Sequence, residues 1–172
     1  MTIIVSTNQT NLTMPIEFIF WGFIFAYVIH ILEEATLAEN FVDKVKRNFW
    51  PEYSWSKFFG FNTLLIVINI TAVVLFDFLR GAWIIFPLSL SMERTLNGLW
   101  HLGETVIIKK YSSGLLTSVI TWVLMFFIVR YSLLAGQLPY NYFITSLFIG
   151  FVITVLMLGS LFVFRIRFRR QL

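Results

Sequence analysis

The chain has 172 residues, 58% of them hydrophobic and 19% aromatic, with 20 Phe, no Cys and a net charge of +4. A mean hydropathy of +0.81 exceeds what a water-soluble domain can bury, so lipid is the expected solvent for most of the chain. Lack of cysteine excludes disulfides, iron–sulfur clusters and thiolate metal sites, and the basic residues sit at the borders of apolar runs, which points to membrane topology rather than to nucleic acid.

Residues 1–14 carry no charged side chain and lack the basic region and cleavage site of a signal peptide, so they read as an extracytoplasmic tail. Its sequons, Asn8-Gln9-Thr10 and Asn11-Leu12-Thr13, are ascribed to chance in an Asn/Thr-rich stretch. One membrane-embedded helical domain, residues 15–164, follows. Five spans are predicted at Ile16–Ala35, Phe58–Leu79, Ala82–Ile108, Gly114–Val129 and Tyr142–Phe164, each near the ~20 residues that cross the hydrocarbon. Pro87 in the third is expected to kink it or mark a late start.

Lys44, Lys46, Arg47 and Lys57 lie between the first two spans, Lys109 and Lys110 between the third and fourth, and Arg165, Arg167, Arg169 and Arg170 in the basic tail 165–172. The other side holds only Arg80 and Arg130. The positive-inside rule therefore predicts an all-α bundle of five transmembrane helices with the N-terminus outside and the C-terminus cytoplasmic. Between the first two spans, about residues 38–56, Phe41, Val45 and Phe49 recur at every fourth position among Glu39, Asp43, Lys44, Lys46 and Arg47. That pattern predicts an interfacial amphipathic helix, closed by Trp50, Pro51, Tyr53 and Trp55; it is an ordinary interfacial segment or a lid over a site.

Two polar stretches interrupt the apolar pattern: His30-Ile31-Leu32-Glu33-Glu34, and Glu93-Arg94 through Asn97 and His101 to Glu104. Even on the mildest scale an acidic residue at a span centre costs ~2.5–3.5 kcal/mol, so such groups imply function. The first and third spans run in the same direction, and both histidines fall about two-thirds of the way along, at one depth in the cytoplasmic half. Helical spacing groups His30 with Glu33 and Glu34, and aligns Glu93, Asn97, His101 and Glu104 in a stripe. Two imidazoles with several carboxylates on facing helices are the ingredients of a Zn, Fe or Mn site of one ion or two. The candidate ligands are His30, Glu33, Glu34, His101, Glu104 and Glu93, with Asn97 and Arg94 placed to orient them. Arg94 with Glu93 has the competing reading of a satisfied polar network, and Asp77 is expected to pair with Arg80 near the outer border. Asn62, Asn69, Thr117 and Thr121 are candidates to line the bundle interior.

HILEE at 30–34, the later Asn97-x-x-x-His101 and Tyr111-Ser112-Ser113-Gly114-Leu115-Leu116-Thr117 together resemble the HXXEE-motif family of small integral membrane proteins over about residues 20–130. Ser113 stands where members of that family often have proline. The resemblance implies that His30, Glu33, Glu34 and His101 are the functional set, without supplying a reaction.

The leading expectation is a metal-dependent intramembrane enzyme, a hydrolase or a di-metal oxidoreductase, acting on a lipid or other amphiphile. In the hydrolytic version His30, His101 and Glu104 hold the metal, and Glu33 or Glu34 is the general base. The alternatives are a small ion- or proton-coupled transporter, which at this size would work as a homo-oligomer, and a structural membrane subunit. A bacterial plasma membrane is the expected location.

Overall fold

The computed structural model describes residues 15–37, 41–134 and 136–169. The N-terminal tail with its sequons, Glu39 and Arg170 lie outside the described residues. Six α-helices and no strand occur among those described: α1 (Ile16–Thr36), α2 (Phe41–Asn48), α3 (Trp55–Leu79), α4 (Ile85–Ile108), α5 (Leu115–Phe127) and α6 (Tyr140–Arg169). A 3₁₀ turn at Gly81–Ile84 leads into α4, and a π turn at Ile128–Leu133 extends α5. Three of the helices, α1, α3 and α6, are long and apolar enough to cross a membrane.

Each helix shows why it sits where it does. On α1, Phe18, Phe25 and Leu32 recur at intervals of seven and are well exposed, a stripe suited to lipid. Phe23, Tyr27, His30 and Glu34, at intervals of four, three and four, are buried on the face turned to the bundle. Ser54 caps α3 by accepting from the Lys57 backbone N–H. Pro87 marks a late start, as one alternative held: it lies in the first turn of α4, where its missing N–H forfeits no helical bond. α4 is the central helix, packed on α1, α3, α5 and α6. Its approach to α6 is close at Gly150, where a β-carbon would stand 2.6 Å from Met92 Cβ and 2.7 Å from the Ser89 carbonyl.

Two hydrophobic clusters bracket the interior. One joins Ile19, Phe20 and Phe23 to Val73, Phe76, Leu88 and Met92. The other, at the end carrying α2, joins Tyr27 and Ile31 to Val42, Val45, Tyr53 and Phe58. Burying Val42 and Val45 completely anchors α2 on the bundle, while Phe41 and Phe49 pack at its edge. Trp50, just beyond α2, stacks on Phe164 of α6 with ring centroids 4.2 Å apart. The expected Asp77–Arg80 pair is not formed. Arg80 instead bonds Glu17 on α1, because the α3 C-terminus turns back at Arg80, and Asp77 Oδ1 is buried without a hydrogen-bond partner among the described residues.

Candidate metal centre

Parallel placement of α1 and α4 brings His30 and His101 face to edge, with ring centroids 5.1 Å apart. Glu34 reaches between them: its Oε1 is 3.5 Å from His30 Nε2 and 3.6 Å from His101 Nε2. All three residues are buried, and one ligand atom from each lies within 4.8 Å of the others. In a tetrahedral site with bonds near 2.0–2.1 Å, neighbouring ligand atoms are ~3.4 Å apart, so the two observed Nε2–Oε1 separations already approach that spacing.

The histidine tautomers follow from what holds the opposite ring nitrogens. Thr117 has one hydroxyl proton, and it goes to Glu33 Oε2 at 2.6 Å. His30 Nδ1, 2.8 Å from the same oxygen, must then be the donor, which leaves its Nε2 to face Glu34. Ser112 repeats the device: its hydroxyl donates to Glu104 Oε2 at 2.5 Å and accepts from His101 Nδ1 at 3.1 Å. Each His-x-x-Glu is thus closed by a hydroxyl from the segment between α4 and α5 or from α5 itself, in the order carboxylate, hydroxyl, imidazole.

Those bonds engage both oxygens of Glu33 and Oε2 of Glu104. Glu33 Oε1 accepts from the Tyr111 hydroxyl and from the backbone N–H groups of Gly114 (2.7 Å) and Leu116 (3.1 Å); Oε2 accepts from Thr117 twice. Glu104 Oε2 also accepts from Lys44 Nζ on α2 at 2.6 Å. Burial and the Glu33 carboxylate push the Tyr111 hydroxyl up to about 12. The structure therefore brings together His30, Glu34 and His101, sets Glu33 and Glu104 behind the two rings, and pairs Glu93 with its neighbour Arg94. Asn97 Nδ2 lies 3.5 Å from His30 Nε2 and 3.3 Å from His101 Nε2, beside the convergence point.

Gly114 is the residue whose part motif spacing does not reveal. With φ +105° it takes a conformation that disfavours side chains, and a β-carbon there would stand 2.6 Å from His101 Cε1 and 2.7 Å from His30 Cε1. Its bareness keeps open the space between the imidazoles. Thr117 is among the residues expected in the interior, whereas Ser112 and Lys44 carry no sequence signal for their roles beyond lying next to the polar stretches. Asn62 lines the interior, bonded by the Tyr27 hydroxyl at 2.6 Å; Asn69 and Thr121 bond carbonyls of their own helices.

One wall of the centre opens into a cavity of about 710 Å³. Glu34, His101, Asn97 and Trp100 face it from one side, and Trp50, Tyr53 and Phe164 close the end beneath α2. Fold and site together define a helical protein with apolar helices of membrane-spanning length and a buried His–His–Glu cluster. By its match over residues 21–129, more than half of the chain, it belongs to the family described as "Protein of unknown function with HXXEE motif". No curated protein and no solved structure matches the chain.

Proposed function

We propose that the protein is a metal-dependent enzyme embedded in the membrane by five spans, with its N-terminus outside and its C-terminus cytoplasmic, acting on a lipid or other amphiphile. The observation that carries this reading is the convergence of two imidazole Nε2 atoms on Glu34 Oε1, each ring held from behind by a hydroxyl and a carboxylate.

α4 supports the span count by its length of 24 residues, ~36 Å. Its hydropathy is lowered by Glu93, Arg94 and His101, which are buried inside the bundle rather than presented to lipid. α5 with its π turn supports the shorter fourth span. The basic residues of α2, of the α4–α5 connection and of the C-terminal end of α6 support the orientation.

Two histidines and one carboxylate are a ligand set used in catalytic zinc sites, and they leave a coordination position open. A divalent ion bound there supplies Lewis acidity and lowers the pKa of a water in the open position toward ~7. Glu34 acts as ligand. Glu33 and Glu104 fix the imidazole tautomers through Thr117 and Ser112, and the five hydrogen bonds on Glu33 leave it no free lone pair for general-base work. With Glu34 the one carboxylate grouped with the two imidazoles, the geometry favours one ion over the di-metal version. The transport alternative expects helices broken near the midplane, whereas α4 runs without interruption from Ile85 to Ile108.

The test is elemental analysis of protein purified in detergent without a metal-binding tag, beside the His30→Ala/His101→Ala double variant. Near-stoichiometric Zn, Fe or Mn in the parent, lost in a variant that stays folded, is the expected result. A parent that binds none of these ions on incubation refutes the reading.

A further inference from the structure

The cavity beside the centre contains a charged pair for which the centre itself has no use. Glu93 and Arg94 are adjacent on α4 and both buried, joined through Arg94 Nε and through Nη2 to Oε1 at 2.5 Å. The bond between these neighbours in one helix joins no two helices, so whatever hold the pair gives the bundle comes from what Arg94 touches beyond Glu93. Arg94 also lies over the Tyr27 ring at 4.5 Å, and Tyr27 is fixed by Asn62 of α3. The guanidinium is thereby held at the cavity wall, with Nε and Nη2 turned to Glu93.

Charge arithmetic gives this arrangement a direction. The charged side chains on the cavity wall are Glu34 and Glu93 against Lys57 and Arg94, a sum of zero. A divalent ion between the histidines raises it to +2, which an anionic ligand offsets. The rest of the wall is largely apolar, and three of its members, Phe61 and Leu64 of α3 and Leu156 of α6, are exposed, so the cavity opens sideways between these helices toward lipid. Its volume lies in the ~300–1,000 Å³ range of small-molecule sites.

We propose, resting on the metal reading above, that the cavity takes an acyl chain whose amphiphile bears an anionic group, a carboxylate or a phosphate, and that Arg94 is the positioning residue that pairs with it. Glu93 and Tyr27 preset the guanidinium so that little side-chain entropy is lost on binding. Trp50 and Trp100 both line the cavity and serve as reporters.

Tryptophan quenching is measured on zinc-incubated protein with 9,10-dibromostearate, with its methyl ester, and with a dibrominated phosphatidylglycerol. The parent is expected to bind acid over ester by about tenfold to hundredfold, the worth of a charge-assisted hydrogen bond. Arg94→Gln is expected to bring acid and ester within about threefold at unchanged zinc content, and Arg94→Lys to retain part of the preference. Equal affinity of the parent for acid and ester overturns the proposal, as does a preference that survives Arg94→Gln or vanishes only in Lys57→Gln. The acid–ester comparison on the parent needs no variant to fold. Binding of the free acid alone identifies a single-chain ligand and binding of the phospholipid identifies a membrane headgroup; either upholds the anion site. A parent that takes up no metal yet discriminates through Arg94 also upholds it and overturns the metal reading alone.

Discussion

Thr117→Val isolates the device behind His30. Valine keeps the shape and removes the one hydroxyl that both accepts from His30 Nδ1 and donates to Glu33 Oε2. Glu33 keeps its bonds from Tyr111, Gly114, Leu116 and the Thr117 backbone, so the join between α1 and α5 persists. The unsatisfied imidazole N–H costs about 1–3 kcal/mol of stability, a loss that leaves the bundle folded. Freed from its partner, the ring no longer has its Nε2 fixed toward Glu34, and removing such an orienting group weakens metal affinity by about 10–100-fold. Competition for zinc against a chromophoric chelator in detergent measures this, with thermal unfolding followed on the same samples. Thr121→Val is the control, because Thr121 donates to the Ser118 carbonyl of its own helix. Thr117→Ser keeps the hydroxyl and is expected to bind as the parent does. Zinc affinity of Thr117→Val within about twofold of the parent would refute the reasoning.

Gly114→Ala forces a side chain into a backbone with φ +105° and into both imidazoles, so it is expected to cost at least ~1–3 kcal/mol and to abolish metal uptake, read by unfolding and elemental analysis. Lys44→Gln removes the cation that Glu104 shares with Ser112; with both partners mostly buried, a loss of about 1–3 kcal/mol and a weaker hold of α2 are expected, the latter measured by protease susceptibility near residue 48. For Tyr111 the folded hydroxyl holds its proton up to about 12, so its contribution to stability is complete below the ordinary tyrosine value of ~10 and is lost as pH rises from there toward 12. Tyr111→Phe should therefore flatten the alkaline part of the stability profile. Because the chain has no cysteine, Lys110→Cys and Gln137→Cys each carry a single thiol, and an impermeant reagent added outside intact cells should label only the second.

Helical content and the inward face of α1 were legible because lipid exposes apolar stripes and hides polar ones, the inverse of a soluble surface. The shared depth of His30 and His101 was legible from span direction and length alone. The division of labour among the carboxylates was not. Glu33 and Glu34 are consecutive, so their side chains leave the helix ~100° apart and cannot both reach one ion. From His30, the i+3 and i+4 positions straddle the same line, and which one faces a partner imidazole depends on where α4 lies. The pairing of Arg80 with Glu17 rather than Asp77 has the same character: both acids were within sequence or spatial reach, and the turn at the end of α3 decided between them.

The recurrence of His-x-x-Glu on α1 and α4 has a physical reason that does not require the two helices to be copies of one another. In each, the i+3 carboxylate lies one turn beyond the imidazole, on the side where the connection between α4 and α5 enters. That connection acts as a wedge between parallel helices. Ser112 serves one side and Thr117 the other, and Gly114 between them leaves the space into which both rings project. A histidine on a helix facing a polar wedge needs an acceptor for Nδ1–H, and the shortest hydroxyl-bearing link to a carboxylate on the same helix spans one turn. The i+4 carboxylate, Glu34, has no counterpart on α4, where the residue four after His101 is Thr105. That asymmetry leaves two imidazoles and a single carboxylate at the centre, and with them the open wall through which the cavity reaches it.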